Sequence, residues 1–384
     1  MGSSKSGGET KRRILAVVEW YPPAYKAGGP IRSVHNLVQL LQGHTNVEVV
    51  TGAYELHEKT PMKGIPTNAA TTVNGVKVTY LTHEASNRAA WRQRLSEADR
   101  PDVVYLNSLY SLSFALWPLW EAKRRGIRVT LAPRGMLGPG SLAIKPMKKQ
   151  MFLWVAKRLG WFRDVLWHAS TEVEKQDILS HFPHANVAIA SNVPTPPLPA
   201  PLPPPEPMSP LKLLVLGRIH PIKNVEFALD ALMNMSGMKR KVEVELVGPA
   251  EDADCLKRLL ACQSPSVSVV HSGAVAPHEL GAVWERNHAL LMPSRHENFG
   301  HAVVEAWAHG RPVLLSDRTP WSGLQSQHLG MDLPLEEQAW QDAVTDMMCW
   351  DHKRWDRVQA ACRSQHLALV SSPDLLQANL ALFD

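Results

Sequence analysis

The sequence predicts an α/β protein made of two doubly wound parallel-sheet domains facing each other across a cleft. Three observations carry that expectation. Apolar runs of strand length alternate with helical stretches along almost the whole chain, without a tandem repeat. A proline tract at 194–210, PTPPLPAPLPPPEPMSP, splits the alternation in two and reads as a stiff, extended connector. The segment 289–317, ALLMPSRHENFGHAVVEAWAHGRPVLLSD, reads as strand, polar loop, helix, turn and strand, the β-α-β crossover of a parallel sheet. At 384 residues the chain suits two domains, which usually run to ~100–200 residues each. The expected boundaries are an N-terminal domain at 11–193, the linker at 194–210, a second domain at 211–367, and a last helix at 368–384 placed to pack back on the first.

In the first half, Arg13–Val18 is a buried strand, and EWYPPAYKAGGP leads from it into a helix over 31–42. Pro30 suits that helix's first turn, and Val34, Leu37, Val38 and Leu41 mark its apolar face. The Gly28-Gly29 pair has two readings: close backbone approach to an anion at a helix N-terminus, or an ordinary tight turn. Asn46–Thr51 is a short strand, and Asn74-Gly75 within 73–81 marks a hairpin turn. Asp102–Leu106 is a further strand, followed by the polar loop Asn107–Ser113, a helix to about Arg125 and the strand Arg128–Ala132. Arg134, at that strand's carboxyl end, is either ligand-facing or a surface arginine paired with an acid. A helix over 145–163 precedes strand Val165–His168, and Thr171 and Glu174 form a capping box for a helix over 173–181 before strand 187–191.

The second half restarts with strand Leu211–Leu216, then GRIHPIKN and a helix over 225–235. Strand 242–247, helix 254–261, strand 267–271 and helix 277–286 lead into 289–317. Beyond Leu335 the chain is helical and tryptophan-rich, ending in a helix over about 374–383.

Apolar residues make up 45% of the chain and charged ones 20%, a globular composition. No apolar run approaches the ~20 residues of a membrane span. Met1–Thr10 is rich in Gly and Ser and is not a signal peptide, so the chain is expected in the cytoplasm. Cys255, Cys262, Cys349 and Cys362 show no metal-ligand spacing and read as reduced thiols. The net charge of +5 suits phosphorylated ligands or an anionic surface. It is also the sole feature pointing to nucleic acid, which no recognisable module supports. Much of the charge lies in KPMKKQMFLWVAKRLGWFR at 145–163, which has six Lys and Arg and no acid. That helix either lies on an anionic membrane, peripheral on the inner face of the plasma membrane, or packs its apolar side on the sheet with a solvated basic face.

Chemistry concentrates in the second half. Glu297 in its loop and Glu305 in the following helix stand where parallel sheets bind ligands, at a strand's carboxyl end before a helix N-terminus. A rise of ~1.5 Å per residue leaves Glu305 little more than one turn into the helix. Gly217-Arg218 and Lys223 likewise follow a strand and precede a helix. Two cations there suit a diphosphate, since arginine holds two oxygens at once and lysine adds a point charge. Asp252-Ala253-Asp254 matches a D-x-D metal motif but stands just before a helix, where acids serve as caps. The histidines show no zinc-ligand spacing, and the chain has neither G-x-G-x-x-G, G-x-S-x-G nor a P-loop, so neither a metal site nor a dinucleotide fold is expected.

GRIHPIKN, the Glu297-x7-Glu305 spacing with Phe299-Gly300 between, EAWAHGRPVLLSD and the N-terminal YPPAYKAGGPIRSV together resemble the GT-B glycosyltransferases of family GT4. The resemblance runs over nearly the whole chain from about Lys11 and is strongest in 211–320. It implies a retaining, metal-independent transferase with no cofactor, using a UDP- or GDP-linked sugar donor. In that reading Arg218 and Lys223 bind the donor diphosphate and stabilise its departure, and Glu297 contacts the sugar hydroxyls. The remaining donor residues are Gly217, Val275 at the nucleobase, Asn298, Phe299 and Gly300 through their backbone, Glu305 on the ribose, and Gly28 and Gly29 from the opposite domain. Many relatives carry D-x-x-H-x-H where this chain has DVVYLNSLY, placing Asn107 and Ser108 in the histidine's region. The APRGML segment and the basic helix resemble a subgroup of bacterial surface-polysaccharide enzymes. This makes Asn107, Ser108, Arg134 and Lys145 acceptor-side candidates, and a saccharide or polyprenyl-linked saccharide the acceptor. The implied function is sugar transfer in cell-surface polysaccharide or lipopolysaccharide synthesis. The alternatives are a nucleotide-sugar epimerase or hydrolase on the same scaffold, or a nucleic-acid-binding protein.

Overall fold

The computed structural model describes residues 11–96, 100–196, 203 and 210–384, so most of the expected 194–210 linker lies outside the described residues. The first half forms an eight-stranded sheet: β1 (Arg13–Val17), β2 (Asn46–Gly52), β3 (Ala70–Val73), β4 (Val76–Leu81), β5 (Val103–Leu106), β6 (Arg128–Leu131), β7 (Leu166–Ala169) and β8 (Asn186–Ile189). Its spatial order is β3-β4-β2-β1-β5-β6-β7-β8, and every pairing is parallel except the β3–β4 edge hairpin. That hairpin turns at Asn74 and Gly75, both at positive φ (49° and 79°), as a tight turn matching the strand twist requires. The second half forms a wholly parallel six-stranded sheet from β9 (Leu211–Leu216), β10 (Val242–Val247), β11 (Val267–Gly273), β12 (Ala289–Met292), β13 (Val313–Ser316) and β14 (Gly330–Leu333). Its order is β11-β10-β9-β12-β13-β14.

The sequence explains these sheets directly. All four residues of β5 and all four of β12 are buried, because helices cover both faces of a parallel sheet and leave no position for a polar side chain. Helix Gly29–Leu41 lays Val34, Leu37, Val38 and Leu41 against Ile14, Ala16 and Val49. The last helix, Pro373–Ala381, packs on this same core through Leu375, while Leu382 and Phe383 close it and Thr130 Oγ1 donates to Leu382 O at 2.8 Å.

Three local expectations are corrected. The basic helix spans Pro146–Arg158 and stops short of residue 163, because Gly160, at φ 62°, takes the left-handed turn that ends a helix. Thr171 caps helix Glu172–His181, accepting from Glu174 N at 3.1 Å, but Glu174 does not complete a capping box. Its carboxylate instead accepts from Ser170 N at 2.7 Å and Gly135 N at 2.5 Å. Finally, β14 is a strand that the sequence reading did not anticipate.

Candidate active site

A cavity of about 510 Å³ opens between the two sheets at the carboxyl ends of their central strands. Each wall is built by loops leaving those strands. From the first sheet come Gly28 and Gly29 after β1 and Arg134 after β6; from the second come Gly217, Arg218 and Lys223 after β9, Val275 after β11, and Glu297, Asn298, Phe299, Gly300 and Glu305 after β12. The structure thus brings together every donor-side residue singled out in the sequence, from segments more than 250 positions apart. Glycine is required where these loops turn. Gly28 has φ 73°, and a Cβ on Gly248, which follows β10 at φ 147°, would run into the Gly217 backbone.

The acceptor-side candidates divide. Arg134 lines the cavity, whereas Asn107 and Ser108 lie behind it and Lys145 is exposed outside it; Lys149, one turn on, lines the cavity instead. Asn107 occupies the expected position of a relative's histidine, but its Oδ1 accepts from Arg134 Nε at 2.6 Å. Arg134 also donates to Asn192 Oδ1 and, at 2.6 Å, to Tyr105 Oη. Behind it the chain of bonds continues. His168 Nε2 lies 2.8 Å from Ala190 O and so carries the ring proton. Nδ1 therefore accepts from Tyr105 Oη at 3.0 Å, leaving that oxygen's lone pairs for Arg134. Burial, then the Arg134 charge, pushes the His168 pKa down to about 3 and keeps the ring neutral.

On the second wall each functional charge has a carboxylate or cation opposite it. Arg218 Nη1 lies 2.6 Å from Glu251 Oε1, and Lys223 pairs with Glu297, whose Oε1 also accepts from Ser294 Oγ at 2.9 Å. Glu305 pairs with Arg32 of helix Gly29–Leu41, so this ion pair crosses from sheet to sheet. Glu305 Oε2 is buried with no hydrogen-bond partner. Ser33 Oγ meets His301 Nε2 at 2.7 Å, and Asn298 Nδ2 donates to Ser170 Oγ at 2.9 Å and to Glu174 Oε2 at 3.3 Å. Arg32, Ser33, Glu251 and His301 were not singled out from sequence, and Glu174 was read there only as part of a helix cap. Arg32 and His301 each stand in the first turn of a helix entered through a ligand-facing glycine, which is the signal that could have found them.

Asp252 caps helix Ala253–Ala261, accepting from Cys255 N at 2.8 Å, and no group of three metal-ligating side chains occurs among the described residues. All four cysteines are free.

The fold and the cleft define a class: two facing parallel-sheet domains with a ligand cavity between the carboxyl ends of their strands. Sequence comparison agrees. Residues 163–370 match a family model described as "Family 4 Glycosyltransferase in conflict systems", and residues 28–192 match a "Glycosyl transferase 4-like domain". The first match alone covers more than half the chain, and the protein belongs to the family 4 glycosyltransferases. It is a GT-B enzyme, similar over 97% of its length to sucrose-phosphate synthase from Thermosynechococcus elongatus (98% of that chain, 15% identity, TM-score 0.71). It is likewise similar to Anabaena HepE in complex with UDP and glucose (97% and 98% covered, 15% identity, TM-score 0.67). A third similar structure is the lipopolysaccharide outer core galactosyltransferase WaaB (97% and 98% covered, 18% identity, TM-score 0.59). At these identities the likeness is one of fold. No curated protein matches the sequence.

Proposed function

We propose that the protein is a retaining transferase that moves a sugar from a UDP- or GDP-linked donor to a saccharide or polyprenyl-linked acceptor in cell-surface polysaccharide assembly, without a metal ion or cofactor. The observation that carries this is the meeting of Arg218, Lys223, Glu297 and Glu305 in one cavity, with a buried Glu305 oxygen left for a ligand hydroxyl. In this reading the diphosphate takes Arg218 and Lys223 from their carboxylates, and the freed Glu297 accepts from sugar hydroxyls. Glu305 accepts from the ribose, and Val275 lies along the base. Charge develops on the departing phosphate, where the two cations stabilise it. The acceptor hydroxyl attacks from the same face. The C–O bond to phosphate breaks, the C–O bond to the acceptor forms, and the acceptor's proton passes to the phosphate oxygen. The UDP and glucose in complex with the similar HepE, and the description of WaaB as a lipopolysaccharide outer core galactosyltransferase, support this choice of donor and acceptor.

Arg134, Tyr110 and Lys149 border the cavity on the first wall and would meet the acceptor. Helix Pro146–Arg158 starts beside this wall and exposes Met147, Met151 and Trp154 in one stripe among its lysines, a face suited to an anionic bilayer on the cytoplasmic side. No helix among the described residues is long and apolar enough to cross a membrane.

Thermal-shift measurement against UDP, GDP, ADP and their sugar conjugates, with and without Mg²⁺, tests the donor site, since a ligand binding only the folded state raises stability by mass action. A metal-independent shift with one nucleotide, lost in Arg218→Ala, is expected. The absence of any shift removes the donor assignment. Co-sedimentation of the same preparation with anionic vesicles, reduced in Met151→Asp, tests the membrane face; no binding by wild type overturns it.

A further inference from the structure

Arg32 stands in the first turn of helix Gly29–Leu41 and lines the same cavity as Arg218 and Lys223, from the opposite wall. Its side chain is about three-quarters buried, and burial lowers its pKa to about 10. A partly buried cation is stabilised by an anion beside it, and here that anion is Glu305 of the other sheet. The carboxylate is only half used, because its Oε2 is buried with no partner. Glu305 is also the residue assigned above to the donor's ribose. Ribose hydroxyls donating to that carboxylate compete with Arg32 for its lone pairs. The same donor brings a diphosphate, a doubly oxygenated anion that a guanidinium can hold at two points.

We propose that Arg32 is a donor-diphosphate ligand supplied by the first sheet, exchanging Glu305 for phosphate when the ribose engages the carboxylate. This rests on the donor site proposed above and adds to it a cation from the facing wall. The surroundings fit the role. Gly28, Gly29 and Pro30 line the cavity at the start of the same helix, whose N-terminal dipole favours an anion. His301, packed against Ser33, is kept neutral by burial and by the charges of Arg32 and Arg134, so two arginines converge at this part of the cleft. Since Arg32 belongs to one sheet and Arg218 and Lys223 to the other, a diphosphate held by all three ties the walls together and excludes water from the reacting bond.

The test is isothermal titration of wild type, Arg32→Gln and Arg32→Lys with uridine against UDP and guanosine against GDP. Arg32→Gln is expected to weaken the diphosphate at least tenfold and leave the nucleoside unchanged or tighter, with Arg32→Lys recovering part of the loss. Because Arg32→Gln strands the Glu305 carboxylate, the double variant Arg32→Gln, Glu305→Gln is titrated alongside. Its ratio of diphosphate to nucleoside affinity should fall by the same factor. Equal losses for nucleoside and diphosphate would reduce Arg32 to a support for Glu305, and an unchanged or tighter diphosphate would make it a competitor of the ribose; either overturns the assignment. If wild type binds none of the four ligands, the donor site itself falls and this inference with it.

Discussion

On the wall contributed by the second sheet, Arg218 and Lys223 each face a single carboxylate, and both reach their places from one loop after β9. On the wall contributed by the first sheet, Arg134 is held at three points by Asn107, Asn192 and Tyr105, and Tyr105 is fixed in turn by His168. The first arrangement can exchange partners. Arg218 is nearly half exposed, and an ion pair of that kind contributes about 0–1 kcal/mol, little enough for a diphosphate to displace it. The second arrangement is preorganised, because freeing Arg134 means breaking several buried hydrogen bonds at once. The cleft therefore sets a fixed cation opposite movable ones. That division suits the reaction proposed above, in which the donor's charge is gathered and released at each turnover while the acceptor's position stays constant.

The contrast is broken most severely at the movable wall. In the double variant Arg218→Ala, Lys223→Ala, transfer followed as nucleoside diphosphate release is expected to fall by roughly 10³-fold or more, since loss of one donor to a developing oxyanion costs ~10²–10³. The melting temperature should fall only modestly, because the variant leaves Glu251 and Glu297 without their cations but removes no core packing. Full activity in this variant removes the site assignment.

At the fixed wall a smaller effect on rate and a larger one on stability are expected. Asn107→Ala leaves the Arg134 Nε–H without its acceptor at 2.6 Å, and a buried charged hydrogen bond is worth ~1.5–3 kcal/mol. The enzyme should lose about tenfold in transfer rate together with several degrees of melting temperature. Lost stability with unchanged transfer would make Arg134 a purely structural residue.

The same contrast explains what the sequence disclosed. Glu297 and Glu305 sit in one strand-loop-helix unit, as do Arg218 and Lys223, so spacing alone exposed them. The residues around Arg134 come from positions 105, 107, 168 and 192, on β5, its following loop, β7 and the segment after β8, and only the sheet order brings them together. Glu174 misled for a related reason. A local rule placed its carboxylate at its own helix cap, whereas the tertiary fold offers it Gly135 N and the Asn298 amide from the facing sheet. Alternation of apolar runs was enough to predict the doubly wound sheets. It missed β14, whose four residues include the half-buried Asp332, and it carried the basic helix past Gly160 because apolar residues continue beyond that turn.

The two walls can be compared through one further property, the buried histidine that each contains. His168 behind Arg134 and His301 at the start of helix His301–Ala308 both have pKa values near 3, lowered first by burial and then by neighbouring arginines. An unfolded chain returns them to ~6.5. Between about pH 3 and 6.5 the unfolded state therefore binds more protons, so stability rises with pH through that window, is complete above it and is lost on acidification. From pH 7 to 5.5 each histidine should cost ~1.3 kcal/mol, measured as a falling denaturant midpoint. His168→Gln and His301→Gln should each flatten that dependence. The burial of His301 arises partly where Ser33 and Arg32 of the first sheet meet it, so its share should shrink in Arg32→Gln. The His168 share, set on the first wall by burial and then the Arg134 charge, should remain. If Arg32→Gln flattens neither share, the closed contact between the walls does not govern the His301 site in solution.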